Sequence, residues 1–344
     1  MTRNQYLNLK FRIILTALRK RKITLRKLWN AAGCSLSYLL QNEHSGLMPV
    51  VLSLELGNDC NTSCLFCRDE EGTIYNINPA EPLLGGIAKG RMPVDMAEDF
   101  IRQAGRDALI AVLYTNGEPL LYNHLGRIVK CCTDHGLASM IATNGLLLNE
   151  LRIRELLNNG IDFIKVQLSG FTQDVYSVQV RRGDVEQLKD NIRLLIKIRN
   201  AGHHDTVILV DWISYQYNAH QLPLIAQFCQ ELNIMLNIRP GNPRGGLEGK
   251  EPALPAEKLP LEESCDWPWK TLQVNFNGDI LICCDGVVFS GCPALATHTT
   301  GKTDLRNVWN GAAFQNVRQS LKTRGRAAIP ICAQCSRRGI HFKW

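Results

Sequence analysis

Cys60, Cys64 and Cys67 constrain this chain more than any other feature, because their C-x-x-x-C-x-x-C spacing puts three thiolates on one short loop. The stretch reads ELGNDCNTSCLFC over residues 55–67, with Phe66 just before the third cysteine. Thiolates are the usual ligands of iron–sulfur clusters, and three of them hold a four-iron cluster by three corners. The fourth iron is then left for something other than protein. A structural zinc site is the alternative, although zinc normally closes with four ligands in paired C-x-x-C units.

Thirteen cysteines in 344 residues lie in tight clusters, not at the spacings of a disulfide scaffold. That pattern suits metal or cluster binding in a reducing compartment, so a cytoplasmic location is expected. No run approaches a membrane span, and Ile13 to Leu18 is too short for a signal-peptide core. The net charge of +7 is polarised: residues 1–42 carry nine Lys or Arg and no acid, and residues 305–344 carry eight and no acid, which leaves the middle at −10. Basic ends suit an anionic substrate or peripheral membrane contact, or are simply a solvated face. Nothing resembles a nucleic-acid module.

From residue 50, apolar runs alternate with amphipathic helical stretches. The runs are Val50–Leu56, Leu109–Tyr114, Ser139–Thr143, Asp162–Leu168, Thr206–Trp212 and Ile234–Ile238. Helix-like segments, such as Asn123–Cys132, Leu147–Asn158, Val185–Asn200 and Ala219–Leu232, lie between them. This alternation predicts an α/β fold with a parallel sheet, and six units fit a partial (β/α)6 TIM-like barrel over residues 49–241. Residues 1–48 form a basic helical extension in which Leu7, Phe11, Ile14, Leu15 and Leu18 share one face. Residues 242–264 are Gly/Pro-rich and read as a linker to a small domain at 265–344.

Barrel strands covered by helices are apolar on both faces. Ser53 and Glu55, Lys165 and Gln167, Asp211, and Asn237 and Arg239 interrupt that pattern, with period 2 where they are paired. Such side chains are expected to point into a wet lumen, with buried structural ion pairs as the alternative. Lys165, Asp211 and Arg239 are the candidates for acid/base work or polar recognition.

With Phe66 before the last cysteine, the triplet resembles the signature of the radical S-adenosylmethionine (radical SAM) enzymes. In that family the open iron binds the amino and carboxylate groups of SAM. An electron then splits the sulfonium, and a 5′-deoxyadenosyl radical removes hydrogen from substrate. Asn116-Gly117-Glu118-Pro119 resembles the family's G-G-E-P motif, which holds the SAM amino group; Asn116 replaces its first glycine. Asn144 and Ser169, at the ends of the third and fourth strands, fall where the family borders the SAM ribose and carboxylate. Arg181 and Arg182 fall where a family arginine pairs with that carboxylate; as residues alone they also read as turn or surface positions.

Past the linker, Cys265, Cys283, Cys332 and Cys335 make a second set, in which Cys265-x(12)-Gly278-x(4)-Cys283 resembles the opening half of a SPASM/twitch extension. Asn277-Gly278 is a hairpin turn that brings Cys283 back toward Cys265. The resemblance implies one auxiliary 4Fe–4S cluster on these four thiolates, with zinc as the structural alternative. Cys131, Cys132 and Cys229 read as small packing residues. Cys292 is a candidate hydrogen-atom donor of the kind an epimerase needs.

Together these features imply a SAM-dependent radical oxidoreductase. Its expected substrate is a small polar molecule, carbohydrate- or aminoglycoside-like, anionic or lipid-linked, and its reductant a flavodoxin or ferredoxin. A radical epimerase, a peptide maturase, and a non-enzymatic iron–sulfur or zinc module are the rival readings.

Overall fold

A computed structural model describes residues 22–69, 71–76, 88–241, 247, 250–254, 261 and 263–335. The amphipathic stretch at Leu7–Leu18, most of the Gly/Pro-rich linker and residues 336–344 lie outside these. After helix α1 (Leu25–Leu39) the strands β1 (Val51–Leu54), β3 (Ile110–Val112), β4 (Ala138–Thr143), β5 (Phe163–Gln167), β7 (Val207–Ser214) and β8 (Met235–Pro240) are the six expected barrel strands. Each pairs in parallel with the next. Helices α2 (Val94–Ala104), α3 (Leu125–Asp134), α4 (Glu150–Asn158), α5 (Gln173–Gln179), α6 (Val185–Ala201) and α7 (Leu222–Glu231) lie between them in the chain.

Local chemistry sets the bounds of these elements. Asp184 caps α6 by accepting from the amides of Glu186 and Gln187, and Val185, Leu188, Ile192, Leu195 and Ile196 form its buried stripe. On the strands, parity decides the face. Leu52, Leu54, Ile141, Ile164 and Val210 join the large core beneath the helices. Val51, Ile110, Val112, Ala138, Met140, Phe163 and Val207 form a separate apolar cluster on the opposite face, which is the floor of the lumen.

The C-terminal segment does not form a sheet of its own. Strand β9 (Thr271–Val274), which follows the short helix α8 (Trp267–Lys270), pairs in parallel with β1, register Val51 to Thr271 through Leu54 to Val274. Strands β10 (Asp279–Leu281) and β11 (Ala296–Thr297) continue antiparallel from it. The result is one nine-stranded sheet, ordered β11-β10-β9-β1-β3-β4-β5-β7-β8. Helices α9 (Leu305–Trp309), α10 (Ala312–Arg324) and α11 (Pro330–Ala333) complete this end. The linker thus separates two stretches of sequence but not two sheets. His298 and Asp99 of α2, 2.9 Å apart, help to tie the return segment to the barrel.

The N-terminal segment is fastened to the lower ends of β4 and β5. Lys22 is buried with its Nζ 2.6 Å from Asp162, which also accepts from the Ser139 amide. Lys22→Met would leave that buried carboxylate without its cation. A loss of about 3 kcal/mol in urea unfolding is expected; a loss under about 0.5 kcal/mol, the level of an exposed pair, would show that the contact anchors nothing.

Candidate active site

The loops that follow β1, β3, β4 and β5 all emerge at the C-terminal ends of parallel strands, the end where barrels place their chemistry. The triplet loop follows β1 and is held from three sides. Its short strand β2 (Ser63–Cys64) pairs with β6 (Val180–Arg181), setting Ser63 opposite Arg181 and Cys64 opposite Val180. The buried Arg68 guanidinium donates to the carbonyls of Asn58, of Asn116 (2.9 Å) and of Gly72 (3.1 Å). Finally, Gly117 lies so close that a Cβ there would come within 2.2 Å of the Gly57 carbonyl oxygen and 2.9 Å of that of Asp59. Only glycine fits.

The three thiols share one electrostatic neighbourhood: burial raises the pKa of Cys64, and charge on Cys60 and Cys67 raises it further. Neutral surroundings therefore resist three thiolates here, which suits a donor set that waits for a cationic iron centre. Asn144 Nδ2 reaches Cys60 Sγ at 3.8 Å and Asn61 at 2.8 Å, so the end of β4 touches the triplet directly.

Glu118 is buried, and its carboxylate accepts from the Leu120 amide, the Thr143 hydroxyl (2.7 Å) and the Asn144 amide (2.8 Å). Burial still pushes its pKa up to about 7 against these donors. In the structure this carboxylate fastens the turn after β3 to the end of β4, because a carboxylate this deep needs donors. Pro119 starts the 3-10 turn that Glu118 caps. Phe66, like Leu65 and Tyr217, is partly buried against the cluster of Ile213, Tyr215 and Leu247.

Several buried polar atoms near this loop have no partner among the described residues: Ser63 Oγ, Tyr176 Oη, Gln179 Nε2, Gln167 Nε2 and Ser169 Oγ. Natural cores seldom leave such atoms unmet, and several around one loop fit a polar ligand the size of a nucleoside.

In the lumen wall Asp211 is the hub. It accepts from Asn237 (2.6 Å) and Arg239 (2.9 Å), and Lys165 lies 3.7 Å away. Burial alone would raise the Asp211 carboxyl, but Arg239 and Lys165 hold it down at about 2. Burial opposes and Asp211 reinforces the charge on Lys165, whose pKa ends above its ordinary value. Lys165 also sits over the Tyr114 ring. Lys165, Asp211, Asn237 and Arg239 thus form one network of ion pairs and hydrogen bonds. Across the lumen face, Glu55 is buried and accepts from Asn116 at 3.1 Å; burial lifts its pKa to about 7, with the Asn116 hydrogen bond opposing.

The second cysteine set converges as its spacing implied. Cys265, Cys283, Cys332 and Cys335 line one cavity that opens to solvent, and Cys284 joins them. Burial and the charges of neighbouring cysteines raise both Cys283 and Cys332. Cys292 lies beside this set, close enough for its charge to raise Cys332. It packs in the C-terminal apolar cluster, with Sγ 3.2 Å from where a Cβ on Gly286 would lie.

Residues 54–211 match the sequence model of the radical SAM superfamily, and residues 265–336 match the SPASM iron–sulfur cluster-binding domain. The chain belongs to the radical SAM superfamily. Its two domains bring SAM and 4Fe–4S clusters as cofactors. Similar solved structures include Streptococcus suis SuiB bound to S-adenosylmethionine (TM-score 0.59, 14% identity, 88% of this chain and 76% of that one). BtrN in complex with AdoMet and 2-DOIA also aligns (0.52, 17%, 84% and 94%), as does anSMEcpe with bound AdoMet (0.55, 12%, 84% and 90%). At these identities the likeness is one of fold.

Curated relatives include a probable GTP 3′,8-cyclase of Methanocaldococcus jannaschii (25% identical over 191 residues, 54% of this chain and 57% of that protein). An AdoMet-dependent heme synthase of Methanosarcina barkeri is 27% identical over 128 residues, 37% of this chain and 33% of that protein. This radical SAM chain spans about half the length of the first curated relatives it matches. Among the described residues no helix is long and apolar enough to cross a membrane.

Arg68 and Asn58 were not singled out in the sequence. Asn58 is buried, donating to the Ala88 carbonyl (2.7 Å) and accepting from the Gly90 amide (2.9 Å). The available signal was the basic residue directly after Cys67, which is ambiguous without a view of the carbonyls it gathers. Arg68→Met should lower iron content by about one cluster while iron in the C-terminal cavity remains; full iron occupancy would contradict the role. Glu55→Gln tests the burial of that carboxyl. A raised folded pKa means stability is lost as pH rises from 4.5 through about 7, so the variant's melting advantage should grow across that window, by up to about 3 kcal/mol. An advantage that does not change with pH would count against it.

Proposed function

We propose that this radical SAM protein is an oxidoreductase acting on a small polar molecule, with one auxiliary 4Fe–4S cluster as electron acceptor. The supporting observation is the lumen, in which an apolar floor gives way to the Asp211–Arg239–Asn237–Lys165 network and Glu55. When bound and reduced by one electron, SAM supplies a 5′-deoxyadenosyl radical that takes a hydrogen atom from a C–H bond. Cys60, Cys64 and Cys67 would hold its cluster, and the Asn116–Pro119 turn, Asn144, Ser169 and Arg181 would surround the nucleotide.

The ion network suits recognition of hydroxyl and amine groups. Asp211, held at about 2, is a poor base, and Lys165 keeps its proton. Glu55, near 7, is the lumen carboxyl matched to accept a proton from an alcohol or ammonium during oxidation. Glu55 would take the proton as the substrate is oxidised, and Cys265, Cys283, Cys332 and Cys335 would hold the cluster that accepts the electron left after hydrogen-atom abstraction. Dehydrogenation is favoured over epimerisation because Cys292, the candidate hydrogen donor, is packed against the C-terminal apolar cluster and not among the lumen residues. A flavodoxin- or ferredoxin-type donor would supply the first electron.

The test is anaerobic incubation of reconstituted protein with SAM, dithionite and a panel of amino sugars, aminocyclitols and peptides, following 5′-deoxyadenosine and product mass in D2O. A sugar- or cyclitol-derived ketone or imine is expected. Deuterium gained at carbon without oxidation would establish an epimerase, and turnover of peptides alone a maturase. Asp211→Asn should raise KM about tenfold or more, with a smaller change in kcat; a loss confined to kcat would contradict a recognition role.

A further inference from the structure

The cavity of the second cysteine set is walled mainly by thiols and apolar side chains, but Trp267 and Arg326 bring N–H donors to it. Trp267 opens the short helix α8, two residues after Cys265. Its indole nitrogen is buried and has no hydrogen-bond partner among the described residues. Trp269, on the same helix, spends its own N–H on the Asn42 carbonyl at 2.8 Å. The indole nitrogens of Trp212 and Trp309 are also unmatched, but both rings pack in the main apolar core and neither lines this cavity. Trp267 is the one that sets an unmet donor beside four thiols, and buried donors are seldom left unmet.

Arg326 follows Gly325, whose φ of 65° turns the chain at the end of α10. Only 2% of Arg326 is exposed. Its Nη1 donates to the Cys335 carbonyl at 2.5 Å and its amide to the Leu261 carbonyl at 2.7 Å, so it is pinned to the segment that carries the last cysteine. Among the described residues lining the cavity it is the one cation, and Asp285 the one carboxylate. One carboxylate balances one guanidinium and leaves the charge of a four-thiolate cluster to be met by whatever else faces it. Such a cluster gains a further negative charge on reduction, so cations and N–H donors beside its sulfurs favour the reduced form.

We propose that the Trp267 indole N–H and the Arg326 guanidinium face the auxiliary 4Fe–4S cluster and raise its reduction potential, which fits it to accept an electron. This rests on the reading of that cluster as the substrate's electron acceptor and names the residues that suit it to the task. Neither residue need touch the substrate.

The test is a redox titration, followed by electron paramagnetic resonance, of the reconstituted full chain with Cys60, Cys64 and Cys67 changed to alanine, so that the auxiliary cluster alone gives the signal. Trp267→Phe keeps the ring and removes the N–H; it should shift the equilibrium toward the oxidised cluster about threefold or more. Arg326→Gln should shift it about tenfold or more, which is about 59 mV for one electron, and Arg326→Lys should recover most of that. A potential unchanged or raised in Trp267→Phe or Arg326→Gln, no recovery in Arg326→Lys, or loss of iron in place of a shift would each overturn the proposal. No substrate is present, so the titration is independent of the product assay: the expected shifts together with an epimerised product would uphold the tuning role and reject the dehydrogenase.

Discussion

The site depends on gathering three half-buried cysteines, which would repel one another as thiolates, on a loop whose backbone must also be satisfied. The protein solves this with contacts that leave little slack. Gly117 packs its bare Cα against the Gly57–Asp59 backbone, and Arg68 gathers carbonyls from both that stretch and the turn after β3. The Glu118 amide adds a 2.8 Å bond to the Asp59 carbonyl. The triplet loop and the Asn116–Pro119 turn thus behave as one piece, and Glu118 fixes that piece to β4. Where the cysteines point is set by these backbone contacts more than by the cysteines themselves.

Sheet continuity extends the same logic to the second cysteine set. Strand β1 has β3 on one side and β9 on the other. The triplet loop leaves the end of β1, while the hairpin that delivers Cys283 grows from β9. Glu55 sits at this junction, its amide bonded to the Val274 carbonyl (3.0 Å) and its carboxyl on the lumen face. Neighbouring strands therefore tie the two cysteine sets to one sheet.

Much of this was legible in the sequence because periodicity and spacing are local. The six barrel strands appear in order, and the period-2 polar residues Lys165, Gln167, Asp211 and Asn237 do share the lumen face. Both cysteine sets also converge. What was not legible depends on contacts between distant segments. The pairing of β9 with β1 cannot be seen in either strand alone. The helical extension expected over residues 1–48 contains α1, but its polar residues face inward, reversing the usual pattern, and only the carbonyls of Met48, Asp107 and Gly136 explain why. The motif points Glu118 at a ligand but gives no sign of its donors on β4, Thr143 and Asn144, which fix the turn as well.

The central claim is that the Cys60–Cys64–Cys67 centre keeps one iron open and that the C-terminal centre does not. Electron paramagnetic resonance of the dithionite-reduced protein, before and after SAM is added, tests it most directly. The account predicts that SAM shifts one of two cluster signals, and that a variant with all three triplet cysteines changed to alanine keeps about half its iron and shows a signal indifferent to SAM. A wild-type spectrum unmoved by SAM, or a triplet variant that still responds to it, would contradict the account.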